Sequence, residues 1–166
     1  MNSEVILESD SIAGTQEIGR RLGAALAPGH VVALIGPLGS GKTTLVKGIA
    51  DGAGVADPRQ VNSPTFVIVN EYQGRAATGP LHIYHIDAYR LRGSADLDAI
   101  GFEEMLNQGA ILLEWADRVA EVLPEDHLAI ALHPLAEHRR QLHLTARGPK
   151  GQALLAAAQA IAQTRA

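Results

Sequence analysis

The chain has 166 residues, 46% of them hydrophobic, which suits one domain that removes roughly 70% of its unfolded surface from water and leaves no room for a second. It has no cysteine, which excludes disulfides and thiolate metal sites; residues 1–10 lack the basic and apolar regions of a signal peptide, and no apolar run is long enough for a membrane span, so a soluble cytoplasmic protein is expected. A net charge of −4, with basic residues scattered apart from Arg90/Arg92 and His138-Arg139-Arg140, argues against a chain that grips nucleic acid unaided, because phosphate binding scales with clustered Lys and Arg.

Residues 4–7 read as a short first strand. Asp10 or Ser11 can cap a helix in which Ile12, Ile18, Leu22 and Leu26 recur at near-helical spacing, with Gly29 as its stop. Thr15 lies in the first turn, where its hydroxyl either meets a nucleotide base or simply faces solvent. Residues 31–35, VVALI, are a nearly continuous apolar run, as in a strand buried on both faces of a parallel sheet. The chain then breaks at Gly36, and Gly36, Gly41, Lys42 and Thr43 satisfy G-x-x-x-x-G-K-[ST], with a helix expected over residues 43–52. This combination suits a phosphate cradle formed by Gly39, Ser40, Gly41, Lys42, Thr43 and Thr44. Glycines let backbone N–H groups turn inward, the helix N-terminus adds about half a positive charge, Lys42 reaches the outer phosphates, and the Thr43 hydroxyl suits Mg²⁺.

Residues 53–64 form a loop rich in Gly, Pro, Asp and Asn, leading to an alternating strand over residues 66–72. Ser63 and Thr65 flank a stiff proline at its entry, where two hydroxyls either sense a γ-phosphate or serve as ordinary strand-entry chemistry. Residues 73–80 read as a hairpin turn, followed by a strand that ends in Asp87. A carboxylate in that position can hold Mg²⁺ or its waters opposite the cradle. His82 and His85, three apart on a strand, fall on opposite faces and make poor joint metal ligands. Residues 93–109 are helical in pieces, capped by Ser94 or Asp96, with Ile100, Phe102 and Leu106 toward the core. Residues 110–113 are the second continuous apolar run and deliver Glu114 and Trp115 at the strand's C-terminal end, where ligands of open α/β sheets collect. A short helix, an antiparallel strand pair (residues 127–132 and 140–147) and an Ala-rich terminal helix complete the chain.

The segments GPLGSGKTTLVKG, NSPTFVIVNEY, HIDAYRL and LLEWADR, in this order and at these separations, resemble the TsaE (YjeE) family, P-loop ATPases of bacterial tRNA threonylcarbamoyladenosine synthesis. The likeness covers nearly the whole chain, and four motifs in register are specific where one is not. It implies an α/β, P-loop NTPase-like mixed sheet of about seven strands flanked by helices, ATP and Mg²⁺ as cofactors, and slow intrinsic hydrolysis. It also implies action with TsaB and TsaD, so that tRNA is met only through partners. Carried over by position, Lys42 and Thr43 resemble the phosphate lysine and the Mg²⁺ hydroxyl, Glu114 the metal-side carboxylate, Asp87 the acid of HxDxYR and Trp115 the aromatic next to the glutamate, while Ser63 and Thr65 fall in the switch-like SPT segment; Lys42, Asp87 and Glu114 are the expected catalytic residues, with Thr15 and Trp115 expected at the nucleotide. Pro37 departs from the family's usual acidic residue and removes one backbone N–H from the loop.

Other readings of the same residues are a nucleotide-switched assembly factor, in which ATP occupancy matters more than hydrolysis, and a small-molecule kinase. The kinase lacks an arginine-bearing lid segment after Arg92. A GTPase would use the D-x-x-G at Asp98 to Gly101, which lies in a helix-like stretch with no N-K-x-D base reader.

Overall fold

The computed structural model describes residues 2–57, 61 and 69–165, with side chains for 3–57, 61 and 69–159. Strands β1 (Asn2–Ser9), β2 (Val31–Ile35), β3 (Val69–Ala76), β4 (Gly79–Asp87), β5 (Ala110–Glu114), β6 (His127–Pro134) and β7 (Arg140–Arg147) form one sheet in the order β1-β7-β6-β2-β5-β4-β3. The inner strands β6, β2, β5 and β4 are parallel, whereas β7 and β1 at one edge and β3 at the other run antiparallel to their neighbours. The mixed seven-stranded sheet is the one expected. Its centre is formed by β2 and β5, which carry the two continuous apolar runs, residues 31–35 and 110–113, because strands covered on both faces need no polar alternation.

Helices α1 (Ile12–Ala24), α2 (Lys42–Gly52) and α5 (Gly148–Arg165) cover one face and bury Val32, Leu34, Ile83 and Leu112. The opposite face buries Val31, Ala33, Ile111 and Leu113 beneath α3 (Ser94–Ala99), α4 (Phe102–Gln108) and a 3-10 helix, Ala116–Val122. Ser11 caps α1 by accepting from the Gly14 amide. Ile12 is 59% exposed, not part of the buried stripe, since the first helical residue faces away from the sheet. The helix also ends at Ala24, before Leu26, which is buried from the following loop. Neither Ser94 nor Asp96 caps α3: its N-cap is Gly93, and the Asp96 carboxylate instead accepts from the Arg92 amide at 3.0 Å.

Residues 73–80 are not a wide turn. Strands β3 and β4 run on to Ala76 and from Gly79, leaving only residues 77 and 78 between them. Gly74, which reads as turn chemistry, is there for close approach: a Cβ would lie 2.6 Å from the Ala53 carbonyl, the group that accepts from the Arg75 amide at 2.6 Å. The first three residues of the expected strand, 66–68, lie outside the described residues, while 69–72 fall in β3 as expected.

Helices α1 and α2 touch backbone to backbone. A Cβ at Gly23 would overlap the Ile49 carbonyl, one at Gly48 the Gln16 carbonyl, and one at Gly52 the Arg20 carbonyl. Because α2 begins with Lys42, this seam fixes where the glycine loop sits above the sheet. Gly48→Ala should therefore destabilise the fold by about 2 kcal/mol, since overpacking against rigid backbone outweighs alanine's better helix propensity. Thermal unfolding should show a midpoint about 4–8 °C lower; an unchanged or raised midpoint would show that the helices can part at little cost.

Candidate functional site

The loop between β2 and α2 closes on its own lysine. Gly39 (φ +79°) and Gly41 (φ +103°) take left-handed conformations that turn the chain back toward the sheet, and nothing crowds a Cβ at Gly39, so backbone geometry alone selects glycine there. The Pro37 carbonyl accepts from the Ser40 amide at 3.1 Å, a tight turn within the loop. Proline's missing N–H is thus accompanied by a carbonyl that holds the loop's shape. Lys42, 5% exposed, donates through Nζ to the Gly36 carbonyl at 2.6 Å and the Pro37 carbonyl at 3.0 Å. The same ammonium lies 4.0 Å from the centre of the Trp115 ring. Burial pulls the Lys42 pKa below the ordinary lysine value, while the charges of Glu114, Asp87 and Asp117 act in the opposite direction.

Sheet register supplies the carboxylates. Asp87 is the partner of Glu114 across β4 and β5, and Glu114 is the partner of Leu34 across β5 and β2, so both acids stand side by side at the strand ends next to the glycine loop. Glu114 is buried, and its Oε2 accepts from His85 Nε2 at 2.5 Å. His85 Nδ1 lies 3.0 Å from the Tyr72 hydroxyl. Asp87 Oδ1 accepts from the Tyr89 amide at 2.9 Å, which fixes the turn leaving β4. Trp115 (φ 59°) is the non-glycine residue with positive φ among those described. Its side chain packs against the core of the face opposite Glu114, as regular alternation requires, and its ring also meets the Lys42 ammonium. Tyr89 packs on that indole with ring centres 4.9 Å apart, and the Arg118 guanidinium lies over Tyr89 at 4.9 Å.

The structure thus brings together Lys42, Asp87, Glu114 and Trp115, with Gly39, Ser40, Gly41, Thr43 and Thr44 in the adjoining loop and helix start. Thr15 is neither exposed nor open to solvent: it is buried, and its hydroxyl bonds Ser9 Oγ at 2.8 Å and the Ser11 carbonyl at 3.3 Å. Ser63 and Thr65 lie outside the described residues. His82 and His85 do face opposite ways, His82 bonding Glu71 and Gln73, and no group of three or more metal-binding side chains of the His, Cys, Asp or Glu type occurs among the described residues. The residues missed by sequence reasoning are His85, Tyr72, Tyr89 and Arg118. His85 was legible in part, since period two puts it on the same face as Asp87.

The donor set fits Mg²⁺ with a phosphate ligand better than a softer metal. Glu114, Asp87 and the Thr43 hydroxyl offer hard oxygens, and Ser40 Oγ is a buried polar atom with no hydrogen-bond partner among the described residues, placed inside the loop.

A parallel-centred sheet whose middle strand runs into a glycine loop and helix, with acids at the ends of β5 beside it and of β4 one strand further out, defines an α/β protein of the P-loop type. Residues 9–142 match the family described as threonylcarbamoyl adenosine biosynthesis protein TsaE, and the chain belongs to that family. It is 38% identical over 141 residues to the tRNA threonylcarbamoyladenosine biosynthesis protein TsaE of Bacillus subtilis, covering 84% of each chain. It is 39% identical over 135 residues to the protein of the same name from Treponema pallidum, covering 81% of this chain and 95% of that one. The crystal structure of Bacillus subtilis YdiB superposes with a TM-score of 0.74 at 30% identity, covering 96% of both chains. No described helix is long and apolar enough to cross a membrane.

The sole tryptophan in contact with the lysine gives a direct check. Lys42→Met should change the emission of ligand-free protein, because the cation over the indole is removed while the fold is kept. Superimposable emission spectra of folded wild type and variant would separate Lys42 from Trp115 in solution.

Proposed function

We propose that this chain is a Mg²⁺-dependent ATPase of low intrinsic activity that serves tRNA threonylcarbamoyladenosine synthesis together with TsaB and TsaD. The observation that carries the reading is the Lys42 ammonium, held in the glycine loop beside two strand-end carboxylates in register. Family membership supports the pathway, and the names of the relatives give the same assignment for those proteins.

Phosphoryl transfer to water needs positioning and charge stabilisation more than covalent chemistry. The amides of residues 39–44 and the α2 N-terminus would hold the phosphates, and Lys42 would exchange its loop carbonyls for phosphate oxygens. Thr43 and Glu114 would hold Mg²⁺, with Asp87 beside them as a second acid acting on the metal or its waters. When bound, Mg²⁺ neutralises phosphate charge as a Lewis acid. Trp115 closes one side of the lysine and excludes water from it. The net charge of −4 leaves tRNA to the partners.

ATP hydrolysis should be slow for the chain alone and rise when TsaB, TsaD and tRNA are added. Lys42→Ala should lose ATP binding, and Glu114→Gln should lose turnover by at least about 10-fold while keeping nucleotide affinity, because the acid acts through the metal. A Lys42→Ala variant that is folded and binds ATP as wild type does would overturn the phosphate-loop reading.

A further inference from the structure

Glu114 is a buried carboxylate flanked by apolar side chains on its own strand and on β2. Its β2 partner is Leu34, the residue two before it is Leu112, and both are fully buried. A buried charge of this kind costs several kcal/mol unless it is paired. The partner is His85, itself fully buried, reached across the β4–β5 register, where its own neighbour is Leu112. His85 takes Oε2, and Oε1 accepts no hydrogen bond from the described residues. Tyr72 on β3 meets the other ring nitrogen, and a Tyr72 hydroxyl donating to Nδ1 leaves the proton on Nε2, where it points at Glu114. Three adjacent strands thus carry an ordered chain, Tyr72 to His85 to Glu114, which ends on one oxygen and fixes the direction of the other.

We propose that His85, oriented by Tyr72, is a positioning residue that sets the free oxygen of Glu114 toward the metal and phosphates of the proposed ATP site. The inference rests on the ATPase reading for its purpose, and on the three-residue geometry for its existence. A hydrogen-bonded imidazole locks both the rotation of the carboxylate and its burial, and loss of such an outer partner typically costs about 10- to 100-fold in metal affinity or activity.

The test uses the full chain. Without any ligand, nitrogen-15 spectra of the imidazole groups should show His85 as the Nε2–H tautomer, with an Nε2–H signal that moves in Glu114→Gln and an Nδ1 signal that moves in Tyr72→Phe. With ATP present, His85→Leu should raise the Mg²⁺ concentration for half-maximal hydrolysis by about 10-fold or more, while metal-free ATP affinity, read from Trp115 emission, changes by less than about twofold. His85→Gln, which keeps an N–H in the Nε2 position, should recover most of the loss, and adding His85→Leu to Glu114→Gln should cost little beyond Glu114→Gln itself. A His85 proton on Nδ1, or losses in the double variant that simply multiply, would overturn the proposal. Should His85→Leu fail to fold, Tyr72→Phe and the wild-type spectra still decide it. Should wild type bind no ATP, the ATPase reading falls, and the spectra alone decide whether His85 holds Glu114.

Discussion

A lysine ammonium withdrawn from water is the constraint around which the site is built. An unpaired buried charge would cost several kcal/mol, so Lys42 needs acceptors in all directions that water no longer fills. Two come from the carbonyls of Gly36 and Pro37, which point at it only because Gly39 and Gly41 let the loop double back. The third side is the indole of Trp115, whose left-handed backbone conformation costs roughly 1–2 kcal/mol in a residue with a side chain. A partly desolvated cation–π contact of about 1–2 kcal/mol offsets that strain.

The sheet does for the acids what the loop does for the lysine. Asp87 and Glu114 are register partners on parallel strands, so their side chains share a face and their like charges repel. That arrangement survives because Lys42 stands near both acids and because His85 bonds Glu114 from within the sheet. Helix α2 must then sit at one height for Lys42 to meet them. The backbone contact of Gly23, Gly48 and Gly52 between α1 and α2 sets that height, which ties the position of the charge to the packing of two helices.

Much of this was legible in the sequence for identifiable reasons. Residues 31–35 of β2 and 110–113 of β5 are continuous apolar runs because these strands are covered on both faces. Glu114 was legible because it ends one of these runs, Lys42 because the glycine motif follows the other, and Asp87 because it ends the next strand, β4. Gly74 misled because a glycine required by close packing against Ala53 looks the same in one dimension as a glycine required by a turn. Thr15 misled because the Ser9 hydroxyl that takes its side chain arrives from the end of β1. His85 was read only against His82, its near neighbour in sequence; its actual partner, Glu114, is 29 residues away and is set by strand order, which periodicity does not contain.

On the proposed reading, nucleotide binding is an exchange and not an addition. Lys42 already holds two carbonyls and an aromatic face, so new phosphate partners replace contacts that exist, and the lysine's net gain is smaller than a count of its bonds in the bound state would suggest. The surplus must come from groups that change more, namely the amides at the start of α2 and the acids Asp87 and Glu114, whose mutual repulsion falls when a divalent cation joins them. Trp115 stands where that exchange takes place, with Tyr89 against its ring and Arg118 over Tyr89 at the surface. Moving the ammonium off the indole removes one contact from this stack, whose outer members, Tyr89 and Arg118, are exposed. Lys42, Trp115, Tyr89 and Arg118 thus form one continuous stack from the loop to the surface, so the lysine's exchange of partners begins at a contact within it.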